Sequence, residues 1–210
     1  MKKRNVIFGV GGFGREVLSC MLDSYKGTGI DISKTTVFMD EDPKWINQTI
    51  NGLKVISKEE FNVKNDELII AVGDPKTRQK IANSFPKETT YFSIIHPSAI
   101  ISPWTKIGKG AIITAGTIIT CNIEIGDHCH LNLNTTIGHD CKIGNYFTTA
   151  PGVNISGNCI IEDNVYFGTA SAIRQGINVV NNVTIGMGCM VVKNIVESGV
   201  YIGNPAKKLK

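Results

Sequence analysis

The second half of the chain carries an apolar residue at every sixth position. From Ile101 to Val191, fifteen of the sixteen residues in this register are apolar, and Thr149 is the exception. Two places earlier, thirteen of the sixteen residues are Ala, Ser, Thr, Cys or Val. A period of six fits neither an α-helix nor an alternating strand, and it is typical of a hexapeptide β-helix. Three hexads make one triangular coil, so residues 96–196 predict five to six coils in a prism about 25 Å tall.

The first 95 residues follow a different pattern. The predicted elements are strands at 5–10, 36–39, 68–72 and 90–94 and helices at 14–25 and 75–84. Strand, glycine turn and helix in this order predict a short parallel sheet that resembles half of a Rossmann fold. We therefore expect an α/β domain over residues 1–95 and a β-helix domain over residues 96–210. The charged side chains also divide unevenly, with 26 before residue 96 and 14 from there on.

Composition excludes several classes of protein. Hydrophobic residues make up 42% and charged residues 19%, and the net charge of +4 is too small to indicate nucleic-acid binding. No window approaches the ~18 apolar residues of a membrane span, and glycines and charges interrupt the apolar run behind the basic start of the chain. We therefore expect a cytoplasmic protein with reduced cysteines.

Four of the cysteines fall in the small-residue register, and they are Cys129, Cys141, Cys159 and Cys189. This register favours packing over metal binding, and it argues against Cys141 as an acyl nucleophile.

A glycine-rich turn offers the first candidate site. Residues Gly9 to Gly14 match G-x-G-x-x-G between a predicted strand and a predicted helix, where backbone amides can bind a pyrophosphate. Asp40 follows the second strand and Gly73-Asp74 ends the third, so all three strand ends could line one crevice. About 95 residues provide only one mononucleotide half, which favours a nucleotide diphosphate over a dinucleotide. The alternative is that the glycines only form a tight turn.

The histidines offer a second candidate. His139 lies two residues after an inward-facing isoleucine, so its ring points away from the core, and Asp140 follows it directly. An exposed imidazole beside a carboxylate suits a general base and its orienting partner, although adjacent residues can pair in this way only at a bend. His128, His130 and His139 together also allow a metal-dependent hydratase. His96, before Pro97, is interpreted as structural.

Several motifs follow one another along nearly the whole chain. They are the glycine turn, Val72-Gly73-Asp74 with Arg78 beyond, His96-Pro97-Ser98-Ala99, the uninterrupted hexads, Gly138-His139-Asp140-Cys141 and the tail Tyr201-Ile202-Gly203-Asn204-Pro205-Ala206-Lys207. In this order they resemble one bacterial family, which contains sialic acid O-acetyltransferases and nucleotide-aminosugar N-acetyltransferases.

The resemblance implies a homotrimer of left-handed parallel β-helices with acetyl-coenzyme A in the groove between neighbouring prisms. It makes His139 the catalytic base and Asp140 its partner. The family's other site positions fall on Gly11, Gly12, Phe13, Asp40 and Gly73 for the sugar nucleotide, and on Thr148 and Gly157 for the coenzyme. Lys207 and Lys208 could face coenzyme phosphates or form a solvated basic end.

The activity that the resemblance implies is direct acetyl transfer to the amine of a nucleotide-linked 4-amino-4,6-dideoxy sugar, for a surface polysaccharide such as O-antigen or lipopolysaccharide. We expect neither a metal nor an acyl-enzyme, because a base and backbone N–H donors suffice for this chemistry. Two alternatives stay open, a sugar O-acetyltransferase of the sialic acid type and a non-catalytic trimeric scaffold that binds a nucleotide sugar. The sequence does not choose among UDP, dTDP and GDP.

Overall fold

The structure, a computed structural model, describes residues 3–209. Met1 and Lys2, which open the basic start of the chain, and Lys210 lie outside the described residues. The first part is an α/β unit. Its elements are strands β1 (Arg4–Phe8), β2 (Thr36–Met39), β3 (Thr49–Ile50), β4 (Leu53–Ile56) and β5 (Asp66–Ile70), helices α1 (Gly12–Tyr25) and α2 (Pro75–Asn83), and 3-10 turns at Ile32–Lys34 and Lys58–Glu60.

These five strands form one sheet in the order β3-β4-β2-β1-β5. All neighbours are parallel except the β3–β4 hairpin, which the sequence analysis did not include. Strand β1 ends earlier than predicted because Gly9 turns the chain with φ of +102°. Helix α1 begins earlier, at Gly12, with Gly11 as its extended N-cap. Strand β5 lies two residues earlier than predicted, because it pairs with β1 from Arg4–Asp66 to Phe8–Ile70, and an Arg4–Asp66 ion pair of 2.8 Å lies at its start.

The second part is a left-handed parallel β-helix with three faces. The first face consists of β7 (Ile100–Ile101), β10 (Ile118–Ile119), β13 (Thr136–Ile137), β16 (Asn154–Ile155), β19 (Ala172–Ile173) and β22 (Met190–Val191). The second face consists of β8 (Lys106–Ile107), β11 (Glu124–Ile125), β14 (Lys142–Ile143), β17 (Ile160–Ile161) and β20 (Asn178–Val179).

The third face consists of β6 (Ile94–Ile95), β9 (Ile112–Ile113), β12 (His130–Leu131), β15 (Thr148–Thr149), β18 (Tyr166–Phe167), β21 (Val183–Ile185), β23 (Gly199–Ile202) and β24 (Lys207–Lys208). Strand β24 is antiparallel to β23 and ends the stack. Along all three faces, strands separated by 18 residues pair in parallel, as with Ile119 and Ile137. In the coils up to β22, two residues 18 apart therefore lie one above the other, whereas β21 and β23 pair with an offset of 16 residues.

The hexad register forms the core as predicted. Fourteen of its sixteen residues are buried, including Thr149, and Ile101 and Ile107 of the first coil are half-buried. The corners have their own register, because fourteen consecutive positions six apart, from Gly110 to Gly188, have left-handed backbone. Glycine and asparagine tolerate this conformation best and fill ten of the fourteen positions.

The two parts share a hydrophobic core. Strand β6 pairs with β9 on the third face, so the ladder of the β-helix already begins at Ile94. Ile94 and Ile112 pack with residues of α1, including Leu18 and Met21. The division of the chain after residue 95 stays a prediction, since the structure is continuous across this point. Within residues 3–209 no helix has the length and apolar character needed to cross a membrane.

Candidate active site

His139 and Asp140 form a hydrogen-bonded pair at the corner between β13 and β14. The His139 Nδ1 to Asp140 Oδ2 distance is 2.7 Å. The bend that this pairing needs is the left-handed corner, where Asp140 has φ of +59°. Both side chains are accessible, at 49% and 45% of their surface. The fold thus presents an imidazole and a carboxylate together on the outside of the prism.

The hydrogen bonds of the pair determine which ring nitrogen of His139 carries the proton. Hydrogen bonds from His139 and then from Asn122 hold the pKa of Asp140 below its ordinary value, so the carboxylate is ionised at neutral pH. An ionised carboxylate only accepts hydrogen bonds, which places the imidazole proton on Nδ1. Nε2 of His139 is therefore left with its lone pair free, as a general base requires.

Gly157 lies one coil further, directly beneath His139. A Cβ atom added at Gly157 would lie 2.7 Å from His139 Nε2, 2.8 Å from Cε1 and 3.0 Å from Cδ2. The imidazole therefore occupies the space that a side chain at this position would take. Within residues 3–209 the Gly157 N–H has no hydrogen-bond acceptor, so a free backbone donor lies beside the base.

An open cleft of about 550 Å³ adjoins Asp140. Trp104, Asn122 and Asp140 line it at the corner, and Lys106, Glu124 and Lys142 line it on the second face. Trp104 is 70% exposed, although it is one of the largest apolar side chains of the protein. The pair is thus open to a ligand from the side of the second face.

The glycine turn lies at the carboxyl edge of the parallel sheet, as predicted, and its glycines divide into two kinds. Gly14 has no room for a side chain, because a Cβ there would overlap the Gly9 carbonyl. Gly11 and Gly12 face open space at the N-terminus of α1, where backbone N–H groups and the helix dipole favour an anion. A ligand could therefore approach the backbone here.

Asp40 fixes this turn to the end of β2. Its Oδ2 accepts the Val10 N–H at 3.1 Å and its Oδ1 accepts the Asp42 N–H at 3.0 Å. Gly73 follows β5 at the same edge of the sheet. Phe13 packs against His130 of the β-helix, with ring centroids 5.1 Å apart. The predicted crevice residues thus share one edge, although part of what they do is structural.

Arg78 joins the crevice to the β-helix, a role that sequence analysis did not assign. It is fully buried, and within the described residues all its acceptors are uncharged oxygens. They are Val72 O (2.7 Å), Gly73 O (3.1 Å), His128 O (3.0 Å), Tyr146 O (2.8 Å), Phe147 O (3.4 Å) and Thr148 Oγ1 (2.8 Å). Burial lowers the pKa of Arg78 to about 9, which leaves it charged at neutral pH.

Thr148 lies in the same interface. Its hydroxyl is buried, accepts from Arg78 and donates to the Gly73 carbonyl at 3.1 Å. Lys207 lies exposed in β24, while the neighbouring Lys208 pairs with Glu197 at 2.8 Å. Neither Thr148 nor Lys207 is on the corner that carries His139, so their contact with a coenzyme stays a prediction.

The other histidines do not join His139. His128 is buried between the rings of Tyr91 and Tyr146, and burial lowers its pKa to about 4. Both His128 and His130 face the α/β unit. Among residues 3–209 no three His, Cys, Asp or Glu side chains converge as a metal site would require, so these histidines do not support the hydratase alternative.

His96 hydrogen-bonds Ser98 and Asp23 at the junction, at 2.8 and 3.2 Å, which is consistent with a structural role. Cys141 is buried. Its contact with Cys159, and then burial, raise the pKa of the Cys141 thiol. A thiol that resists ionisation is a poor nucleophile.

Known proteins resemble this chain along its full length. The family described as PglD N-terminal domain matches residues 5–85. GDP-perosamine N-acetyltransferase of Escherichia coli O157:H7 is 33% identical over 97% of this chain and 95% of its own length. The structure of WeeI from Acinetobacter baumannii AYE is 28% identical, with a TM-score of 0.91 over 99% of this chain and all of its own. PerB from Caulobacter crescentus, determined with CoA and GDP-perosamine, is 25% identical, with a TM-score of 0.87 over 99% of this chain and 97% of its own. The chain therefore belongs to the hexapeptide acyltransferase family that includes the nucleotide-aminosugar N-acetyltransferases.

Proposed function

We propose that this protein is an N-acetyltransferase that moves the acetyl group of acetyl-coenzyme A to the amine of a GDP-linked 4-amino-4,6-dideoxy sugar. The observation that carries the proposal is the His139–Asp140 pair with Nε2 of His139 free above Gly157. Support for GDP and for the amino sugar comes from the Escherichia coli relative, which is named for GDP-perosamine. The product would serve a surface polysaccharide such as O-antigen.

The geometry suits direct transfer. The sugar amine attacks the thioester carbonyl carbon, and Nε2 of His139 accepts the proton that the amine loses. The resulting imidazolium is stabilised by the Asp140 carboxylate through Nδ1. The Gly157 N–H donates to the oxyanion of the tetrahedral intermediate. The intermediate collapses to the amide and expels coenzyme A, whose thiolate takes a proton from the imidazolium.

The nucleotide would bind in the crevice at the carboxyl edge of the sheet. The diphosphate meets the amides at the start of α1, beside Gly11, Gly12 and Phe13. The Asp40 oxygens each accept one backbone N–H and keep a lone pair for the base or the ribose. Gly73 leaves open space for a ligand on its Cα side. These contacts are part of the proposal.

The coenzyme would lie between neighbouring prisms of a homotrimer. Ile100 and Ile118 on the first face are 65% and 39% exposed, and Ile160 on the second is 48% exposed, which supports a covered surface. Lys207 would offer its ammonium group to a phosphate. The Thr148 hydroxyl already bonds to Arg78 and Gly73, so Thr148 would act on the coenzyme site indirectly, by holding the third face in place. We place the reaction in the cytoplasm, where both substrates are made.

Mass spectrometry of products tests this proposal. The wild-type protein is incubated with acetyl-coenzyme A and UDP-, dTDP- or GDP-linked 4-amino-4,6-dideoxy sugars, and separately with free sialic acid. We expect a gain of one acetyl group on the GDP-linked amino sugar, and turnover in the presence of a metal chelator. Acetylation of sialic acid alone would indicate an O-acetyltransferase. Binding of a nucleotide sugar without any product would favour the scaffold.

Replacing Gly157 with alanine should damage activity far more than stability. All three atoms nearest to the added methyl group belong to the His139 ring, which can rotate into solvent. We expect the ring to move and kcat to fall about a hundredfold, because a base must lie within hydrogen-bond distance of the proton it accepts. Steady-state kinetics and thermal unfolding together measure the effect.

The matched control is Gly144→Ala at another corner. There the added methyl group would lie nearest to Asp163 Oδ1 and would also meet backbone atoms of Glu162 and Asp163, which cannot rotate away as a side chain can. This variant should lose stability but keep the kcat of its folded fraction. Equal kcat in Gly157→Ala and wild type would show that Gly157 does not set the position of His139.

A further inference from the structure

We propose that Asn122 is a positioning residue for the transfer reaction, because it holds the Asp140 carboxylate in the orientation that pairs with His139. The inference rests on the proposed function. Asn122 Nδ2 donates to Asp140 Oδ1 at 3.1 Å, while Asp140 Oδ2 accepts from His139 Nδ1 at 2.7 Å. The three side chains form one chain of hydrogen bonds that ends at the free Nε2.

The coil period places Asn122 here. It precedes Asp140 by 18 residues and therefore lies directly above it on the same corner. Both residues have left-handed backbone, with φ of +58° and +59°, so their side chains leave the corner in the same direction. The Asp140 N–H also donates to the Cys121 carbonyl at 3.0 Å, which fixes the distance between the two coils.

Asp140 needs such a partner. The carboxylate is 45% exposed, and an exposed carboxylate–imidazole pair gains little because its side chains are free to rotate in water. The Asn122 amide occupies one carboxylate oxygen and leaves the other directed at Nδ1. Glu124, Lys106 and Lys142 line the same cleft, and Lys106 pairs with Glu124 at 3.2 Å. Within the described residues, the side-chain donor that contacts Asp140 besides His139 is the uncharged amide of Asn122.

The competing explanation is that Asn122 serves the turn alone, since asparagine is common at these corners. Asn134 separates the two explanations. It has the same backbone conformation, with φ of +57°, is exposed, and lies on a corner between the third and first faces. In the described part of the chain its side chain donates to no carboxylate. Asn134→Ala therefore measures the effect of replacing a corner asparagine.

Kinetics of Asn122→Ala and Asn134→Ala provide the first test. We expect kcat of Asn122→Ala to fall about tenfold, as the loss of one orienting hydrogen bond to a charged group predicts, with the KM of both substrates within about twofold of wild type. Both variants should show the same small change in thermal midpoint. An equal kcat in Asn122→Ala, Asn134→Ala and wild type would overturn the proposal.

The pH dependence of kcat provides a second test, because replacing a residue that serves only the turn would leave it unchanged. Asn122→Asp adds a second carboxylate beside Asp140, which favours the protonated imidazole, so the acid limb of the kcat profile should move to higher pH. Asn134→Asp should leave the limb unchanged. A profile for Asn122→Asp that coincides with wild type would contradict the proposal.

Nitrogen NMR of the imidazole, assigned with His139→Asn, needs no turnover. Wild type should show the Nδ1–H tautomer of His139, and Asn122→Ala should show a mixture of both tautomers. An unchanged tautomer in Asn122→Ala would also overturn the proposal. If wild type transfers no acetyl group, the proposed function fails, and this measurement still reports whether Asn122 orients the pair.

Discussion

His139→Asn should lower kcat for acetyl transfer by about a thousandfold, the usual size of a general-base contribution. Asparagine keeps a polar side chain in the same place but cannot accept the proton of the attacking amine. Because His139 is half exposed and its ring contacts the corner glycine rather than the core, the fold should be retained. Single-turnover kinetics with saturating substrates measure the loss.

Two comparisons make this result specific. The thermal midpoint of His139→Asn and its affinity for coenzyme A should stay near those of wild type, since neither depends on the free Nε2. Asp140→Asn should show a smaller loss, because the base remains but its tautomer is no longer fixed. A His139→Asn protein that retains a tenth of wild-type kcat would exclude His139 as the base.

Arg78→Met should cause the largest loss of stability, about 4 kcal/mol in the free energy of unfolding. Methionine fills a similar volume but leaves the buried His128 carbonyl and the partly buried carbonyls of Val72 and Tyr146 without their donor. An unsatisfied buried polar group costs about 1 to 3 kcal/mol, and neighbouring ones do not add fully. Urea unfolding followed by circular dichroism measures the change.

The control is Lys80→Met on the exposed side of the same helix, which should stay within about 0.5 kcal/mol of wild type. Arg78→Lys should fall between the two, since lysine keeps the charge but has fewer donors. In folded Arg78→Met, the KM for the nucleotide sugar should rise more than the KM for acetyl-coenzyme A, because the residues after β5 lose their attachment. Equal unfolding free energies for Arg78→Met and Lys80→Met would remove Arg78 as the link between the two parts.

The β-helix was predictable because its pattern is local and repeated. The apolar character of every sixth residue identifies the inward positions, and the structure buries them as expected. The corner register was also visible in the sequence, as Gly or Asn six residues apart, and it would have given the bend that lets His139 meet Asp140. The β3–β4 hairpin had a signal too, since Asn51-Gly52 is a strong hairpin turn.

The contacts between distant residues were not predictable in the same way. Arg78 meets Thr148 across 70 positions, and no period in the sequence relates them. The family resemblance alone assigns Thr148 to the coenzyme site, which stays a prediction, and no sequence pattern indicated that its hydroxyl on the third face contacts the α/β unit. Asn122 and Gly157 form an intermediate case, because subtracting or adding 18 to the positions of Asp140 and His139 finds them once the coil length is known.

The antiparallel strand β24 has a consequence for self-association. A stack of parallel coils ends in unpaired N–H and C=O groups, onto which the next prism could add, and repetition would give a fibre. Strand β24 reverses direction against β23 and places Lys207 and Lys208 at that edge, both exposed. Reversed direction and positive charge make the edge a poor template for another parallel coil. On the third face, the tail therefore opposes the end-to-end addition of another prism.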